Sequence, residues 1–315
     1  MANTIIRPKS HDEWLKVRES GIGSSEVSTI LGINPFETPY QLYLRKKGMM
    51  PAKEENFAMR AGHYLEDAVS RFYSDKTGVQ IIKSSAVDWI IRDNDRPYLQ
   101  VSPDRTFWIP GLPKNKHNKA ILECKTTQLE VDELDVPQHW YIQLQYQLGV
   151  AGYTQGALAW LTKGREFGSR DFAFDADIYA WITDEVQRFW TDYICGDLVP
   201  ESINVDDIML RNPRHRDGKY IEADDELQRE CEQLKELKEM LDIKNKEKKE
   251  IEERIKLKMG DAEAIVMPGT TNFLATWRLS KSSTKFDEKR FQKENAELYR
   301  TYTYEASGSR RFLLK

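Results

Sequence analysis

The sequence predicts an α/β (α+β) fold: helices layered around one sheet, followed by a C-terminal charged helical arm and a small β-rich subdomain. Three observations predict it. Helical and strand-like patterns run as helix, several strands, helix, strand, helix over the first ~200 residues. Near residue 205 the texture changes to a long run dominated by charge. The 315 residues, 40% hydrophobic and 31% charged, suffice for one large domain and an appendage at about 150 residues per domain.

The elements follow in order. Residues 11–20 read as a short helix led by Trp14 and Leu15, broken by the glycines of GIGSSEVSTILG. Ser24 or Ser25 can cap the next helix, which Gly32 ends. Thr38 before Pro39 supplies a cap and a first helical position for a helix running to about Gly48. FAMRAGHYLEDAVSRFYSDKTG sets Leu65, Val69, Phe72 and Tyr73 at helical spacing and stops at Gly78. VQIIKS, VDWIIRD and YLQVSPDRTFWI read as strands, and the last pairs as a hairpin with AILECKT across the polar loop PGLPKNKHNK. PQHWYIQLQYQLGVAG is helical, GALAWLT and SRDFAFD are strands, and DIYAWITDEVQRFWTDYICG is an amphipathic helix ending at Gly196.

Beyond residue 205 a charged helix carries Leu227, Cys231, Leu234 and Leu241 at near-heptad spacing. Lys238, Asn245 and Lys248 occupy the later seam positions, so a solvated arm or helical hairpin is expected rather than a sustained coiled coil. The tail reads as a hairpin around MPGTT, a short helix near FDEKRFQKE and a last strand RRFLLK. The expected division is 1–205, 206–260 and 261–315, with Trp277, Arg278, Arg310 and Arg311 on an accessory subdomain that contacts DNA or a neighbouring subunit.

No stretch approaches the roughly 18 uninterrupted apolar residues of a membrane span, and the start lacks a signal-peptide core, so an intracellular chain is expected. Cys124, Cys195 and Cys231 are scattered without a CxxC pair, which argues against zinc or redox chemistry. The net charge of -4 argues against indiscriminate nucleic-acid binding, yet residues 271–315 hold 5 acids against 10 bases.

The chemistry centres on ILECKTTQ, residues 121–128. On a strand Glu123 and Lys125 share one face, while Leu122 and Cys124 share the other. A bare E-x-K is commonly a solvated ion pair worth ~0–1 kcal/mol. Asp104, on the strand expected to pair with this one and just after Pro103, makes it more than that. Two carboxylates ~4 Å apart repel by about 4 kcal/mol at an effective dielectric near 20, so such a pair calls for a cation. Oxygen-only ligands favour Mg²⁺, with Mn²⁺ as a substitute, over zinc. A metal held there polarises water for hydrolysis of a phosphodiester, and the lysine orients or activates that water.

SPD followed by ECK, within this element order, resembles the PD-(D/E)xK nuclease superfamily with its restriction-endonuclease-like core, a mixed central sheet flanked by helices. More specifically the chain is similar to the phage recombination exonucleases of the lambda exonuclease, or YqaJ, type. WLKVRESGIGSSEVSTILG matches that family's N-terminal signature, MRAGHYLE its R-x-G-x-x-x-E helix, and PQHWYIQLQYQL its P-x-x-aromatic-x-x-Q-x-Q helix. The resemblance covers about residues 12–200. It implies Asp104 and Glu123 as the principal metal ligands, with Glu66 completing the acidic pocket. It implies Lys125 as the residue that positions water and Gln143 as the holder of the lysine or the water. Arg18 and Ser25 match positions that bind a DNA 5′-phosphate; Ser24 is the other candidate, and spacing favours Ser25. Trp140 stands where the family usually has tyrosine, with Tyr141 adjacent.

The implied activity is a 5′-to-3′ exonuclease that resects linear double-stranded DNA to a 3′ single-stranded overhang. The implied partners are double-stranded DNA ends and a single-strand annealing protein, in a homo-oligomer, a trimeric ring by resemblance, in the cytoplasm of a bacterial host cell. A restriction- or repair-type endonuclease on the same fold, and a catalytically silent DNA-binding scaffold, are the alternatives.

Overall fold

The computed structural model describes residues 3–51, 56–82, 89–115, 118–305 and 308–314. The chain divides into two compact units, Met1–Leu210 and Arg211–Lys315.

In the first unit the elements are β1 (Asn3–Ile6), α1 (His11–Glu19), α2 (Ser24–Ile30), α3 (Pro39–Lys46), α4 (Phe57–Thr77), β2 (Ile81–Ile82), β3 (Ile90–Asp93), β4 (Gln100–Val101), β5 (Arg105–Trp108), β6 (Lys119–Thr127), α5 (Gln138–Ala151), β7 (Gln155–Thr162), β8 (Glu166–Ala173), α6 (Ala176–Arg188) and α7 (Val205–Arg211). The central sheet has the order β2-β5-β6-β7-β8; only the β6–β7 pair is parallel, so the sheet is mixed. A smaller sheet, β1-β3-β4, stands apart from it.

Alternation along β6 assigns its two faces. Leu122 and Cys124 join Val69 and Tyr73 of α4 in one apolar cluster. Ile121 joins Trp140, Leu144 and Leu148 of α5 in another. The sheet is thus flanked by a helix on each face, the mixed α/β architecture. Helix α5 is buried from Trp140 to Val150 apart from Tyr141 and Gln143. Its far side packs with α2, α3 and α6 in a third cluster around Ile22, Leu42, Tyr146 and Ile182.

Several expectations are corrected. YLQVSPDRTFWI is not one strand. Its first part is β4, paired with β3, and its second is β5, paired with β6. Pro103, which has no amide hydrogen for a ladder, sits at the break. Gly23, rather than Ser24 or Ser25, caps α2, because Glu26 turns back to accept the Gly23 N–H at 2.9 Å. Both serines therefore lie inside the first turn with their hydroxyls available for other partners. Thr38 caps α3 as expected, accepting from the Gln41 N–H, and its hydroxyl also donates to Asp207 of α7 at 2.7 Å. The helix expected over 177–196 changes to π winding at Phe189–Cys195. The strand in SRDFAFD begins earlier, at Glu166. Of VQIIKS and VDWIIRD, residues 83–84 and 87–88 lie outside the described residues, as do 116–117 of the polar loop.

In the second unit α8 (Asp225–Met259) is a single 35-residue helix. It is followed by β9 (Ala264–Val266) and β10 (Phe273–Thr276), an antiparallel hairpin, and then by α9 (Glu288–Glu294) and α10 (Ala296–Tyr302). The described residues of RRFLLK, 311–314, form no strand. Nor did the sequence reading anticipate β1, α7 or α10, each seven residues or fewer. Among the described residues no helix is long and apolar enough to cross a membrane.

Gly149 is where α5 and α6 approach most closely: a Cβ there would run into the Tyr179 ring. Alanine favours a helix over glycine by ~1 kcal/mol, whereas forcing a methyl into a packed core costs ~1–3 kcal/mol. Gly149→Ala is therefore expected to lower stability by about 1 kcal/mol net in urea unfolding. A midpoint at or above that of the unmodified chain would contradict this packing.

Candidate active site

The β5–β6 hairpin builds the site. Arg105 pairs with Leu122, which brings Asp104, one residue before β5, opposite the Glu123 region of β6. The Cys124 N–H, at the point where β5 no longer supplies a ladder partner, donates to Asp104 Oδ2 at 2.7 Å. The break at Ser102-Pro103 thus frees Asp104 from the ladder and docks its carboxylate on the backbone of the neighbouring strand.

Glu123 is 2% exposed and projects toward α5. Its Oε1 accepts from Lys125 Nζ at 2.8 Å and from Gln143 Nε2 at 2.5 Å. Its Oε2 accepts from Gln147 Nε2 at 2.8 Å. Lys125 Nζ also donates to Gln143 Oε1 at 2.9 Å, closing a three-membered ring of side chains. The structure therefore brings Asp104, Glu123, Lys125 and Gln143 together.

The electrostatics follow from burial and like charge. Burial, then the Glu123 and Glu66 carboxylates, push the Asp104 carboxyl well above its ordinary range; Lys125 and the Cys124 N–H pull the other way without prevailing. Burial alone would favour loss of the Lys125 proton, but Glu123 and Asp104 more than offset it and hold the ammonium above the ordinary lysine range. Lys125 is thus a fixed positive charge, and the Asp104 side of the site lacks positive charge.

Asp104, Glu66 and Gln143 line a pocket whose opposite wall is made by Trp14, Arg18 and Ser25. Arg18 Nη2 donates to Ser25 Oγ at 3.1 Å, and the guanidinium lies 4.5 Å from the centre of the Trp14 ring. Ser25 is exposed, whereas Ser24 is buried and accepts from Gln147 at 3.1 Å. The two serines therefore face opposite ways. The turn that carries them is anchored from below. Lys46 Nζ reaches the carbonyls of Arg18 and Gly21 at 3.2 and 2.5 Å and the Glu26 carboxylate at 2.9 Å. Burial would push the Glu26 carboxyl up, but Lys46, Arg45 and Arg18 together hold it below its usual range.

Glu66 reaches the pocket from α4, with its carboxylate beside Arg105 Nη1 at 3.7 Å and His63 Nδ1 at 3.4 Å. Among the described residues no group of three or more His, Cys, Asp and Glu side chains is gathered closely enough to hold a metal ion. The pair Asp104 and Glu123 nevertheless suits Mg²⁺, which is usually held by one or two carboxylates while water and phosphate oxygens fill its remaining positions. The raised Asp104 carboxyl is what a missing countercharge produces.

Trp140 is buried against Trp160, and the Tyr141 ring lies 5.1 Å from Phe172, so neither is among the pocket-lining residues. Gln145, the second glutamine of the helix motif, faces the other way, donating to the Ala173 carbonyl and accepting from the Asp175 N–H. The sequence reading missed Gln147. Its spacing of four from Gln143, which puts both on one helical face, was the available signal.

A family model described as a YqaJ-like viral recombinase domain matches residues 13–154. The uncharacterized protein YqaJ of Bacillus subtilis (strain 168) is 30% identical over 317 residues, covering 97% of this chain and 94% of that protein. Among solved structures, the alkaline exonuclease LHK-Exo of Laribacter hongkongensis is similar at 16% identity and a TM-score of 0.45, over 58% of this chain and 93% of that one. A phage-related exonuclease of Haemophilus somnus 129PT is similar at 14% identity and a TM-score of 0.41, over 55% and 93%. With a relative of that identity matched along nearly its whole length, and the family model spanning the hairpin and helix that build the site, the chain belongs to the YqaJ-like viral recombinase domain family.

Proposed function

We propose that the chain is a Mg²⁺-dependent deoxyribonuclease, a 5′-to-3′ exonuclease that resects linear double-stranded DNA to a 3′ single-stranded overhang. The observation that carries this reading is the meeting of the Asp104 and Glu123 carboxylates with the Lys125 ammonium and the Gln143 amide, in a pocket faced by Arg18 and Ser25.

Asp104 and Glu123 would hold the ion, and Glu66 adds negative charge at the rim. The bound ion supplies a lowered pKa for water and neutralises charge on the phosphoryl oxygens. Lys125 is kept protonated by its carboxylate neighbours. It offers a fixed cation to the non-bridging oxygens of the scissile phosphate and orients the attacking water. Gln143 holds Lys125 through its oxygen and Glu123 through its nitrogen, so cation and carboxylate keep one spacing. Across the pocket the Arg18 guanidinium, backed by Trp14, offers planar donors to a terminal 5′-phosphate, and the exposed Ser25 hydroxyl adds another. A phosphate held there would set the scissile bond at a fixed number of nucleotides from the 5′ end, which is the basis for end dependence. The net charge of -4 is compatible with this, since a negative exterior repels bulk DNA while a local basic lining draws it in. A single-strand annealing protein as recipient of the 3′ strand, and a ring-shaped homo-oligomer as the working form, belong to the same reading and rest on the family resemblance.

Linear duplex labelled at its ends should be degraded in Mg²⁺ and spared in EDTA. A covalently closed circle should stay intact under both conditions. Lys125→Ala should lower the rate by about 10²-fold or more, as loss of a catalytic side chain does, with duplex affinity retained. A full rate without Lys125, or degradation in EDTA, would reject the mechanism.

A duplex with 5′-phosphate ends should be cut faster than one with 5′-hydroxyl ends, and Arg18→Ala should erase roughly 10- to 100-fold of that difference, the worth of one charge-assisted hydrogen bond. Digestion starting at the 3′ end would reject the assignment of Arg18 and Ser25 while leaving the metal site standing.

A further inference from the structure

We infer that Gln147 and Ser24 are positioning residues that tie the 5′-phosphate wall of the pocket to the Glu123 carboxylate, so that an occupied end site tightens the catalytic one. The inference rests on the nuclease reading above.

Gln147 lies one turn beyond Gln143 on α5 and is 0% exposed. Its amide nitrogen has two hydrogens, and both are used: one on Glu123 Oε2 at 2.8 Å, the other on Ser24 Oγ at 3.1 Å. Its amide oxygen is buried and has no hydrogen-bond partner. Such orphaned acceptors are uncommon in folded proteins. Rotating the amide by half a turn would not cure this, because it would press the oxygen against the Glu123 carboxylate. The orientation is therefore dictated by Glu123, and the orphaned oxygen is the cost of delivering the nitrogen to two partners.

Those partners belong to the two halves of the site. Glu123 Oε1 is shared by Lys125 and Gln143, and Gln147 is the side chain on Oε2. Gln147 thereby fixes the rotation of the carboxylate plane, which decides how the edge toward Asp104 is presented to an ion. Ser24 occupies the first turn of α2, and the next residue, Ser25, holds Arg18. The buried path from Ser25 through the α2 turn to Ser24, Gln147 and Glu123 contains no water-exposed link after Ser25. A phosphate that draws Ser25 and Arg18 inward moves the Ser24 hydroxyl with them, and Gln147 passes that displacement to the carboxylate.

The test uses the full chain and two measurements. Mn²⁺ alone is titrated into the protein by calorimetry, and single-turnover cleavage in Mg²⁺ is compared on duplexes with 5′-phosphate and 5′-hydroxyl ends. Gln147→Leu should weaken Mn²⁺ binding by roughly tenfold, as loss of a hydrogen bond to a charged group does. Ser24→Ala, which leaves the Gln147–Glu123 bond in place and so decides the matter should Gln147→Leu fail to fold, should reduce the phosphate-to-hydroxyl rate ratio by roughly fivefold. Ser24→Thr, which restores the hydroxyl, should recover that ratio. A purely structural role would slow both substrates in proportion and leave the ratio unchanged. That result, or variants with unaltered Mn²⁺ affinity and end preference, overturns the inference alone. An unmodified chain that cuts neither duplex overturns the nuclease reading and the inference together.

Discussion

The structure around the pocket depends on one buried carboxylate. Glu123 sits in the middle strand of the central sheet, almost without solvent, where an unpaired negative charge would be costly. It is tolerated because three side chains donate to it, Lys125 from the same strand and Gln143 and Gln147 from successive turns of α5. That requirement explains why α5 carries glutamines on a face otherwise made of Trp140, Leu144 and Leu148. It also explains the register: α5 must present those amides at the level of Glu123, and the parallel β6–β7 pair that α5 connects fixes that level.

The arrangement is lopsided in charge. Glu123 is fully served by donors, whereas Asp104 has one backbone N–H and feels two neighbouring carboxylates. A protein seeking stability alone would neutralise Asp104 or replace it. An imbalance confined to one side of a pocket is what a site for a cation looks like before the cation is counted. On the opposite wall the balance reverses: Lys46, Arg45 and Arg18 surround Glu26, and the spare positive charge of Arg18 faces the pocket. One wall is suited to a metal ion and the other to an anion, which is the polarity a terminal nucleotide with its phosphate would match.

Much of this was legible in the sequence, because it is local. The β5–β6 hairpin follows from alternation and a polar loop, and hairpin geometry alone places Asp104 near Glu123. The helix with Gln143 was visible from its period. What escaped depended on tertiary partners. The cap of α2 went to Gly23 because Glu26 is drawn inward by Lys46, some twenty residues away, which no local pattern announces. Ser24 and Ser25 could not be told apart, since the difference lies in Gln147 reaching one and Arg18 the other across the fold. The strand expected at RRFLLK had apolar content without a neighbouring edge to pair with among the described residues, and composition alone does not make a ladder.

The long helix α8 works under different rules from the rest of the chain. Met259 is the one residue of its 35 that is buried, so its order depends on its ends and on contacts along its own surface: the Asp224 cap, acids in the first turn, Lys256 and Lys258 in the last, and pairs such as Lys244–Glu247 and Lys248–Glu252. Each of these is weak and screened by added salt. Single substitutions along it should therefore pass almost unnoticed by natural selection, while insertion or deletion of one residue would swing everything beyond it by about 100° around the helix axis. Its length is the inherited quantity, and its spelling is free to drift.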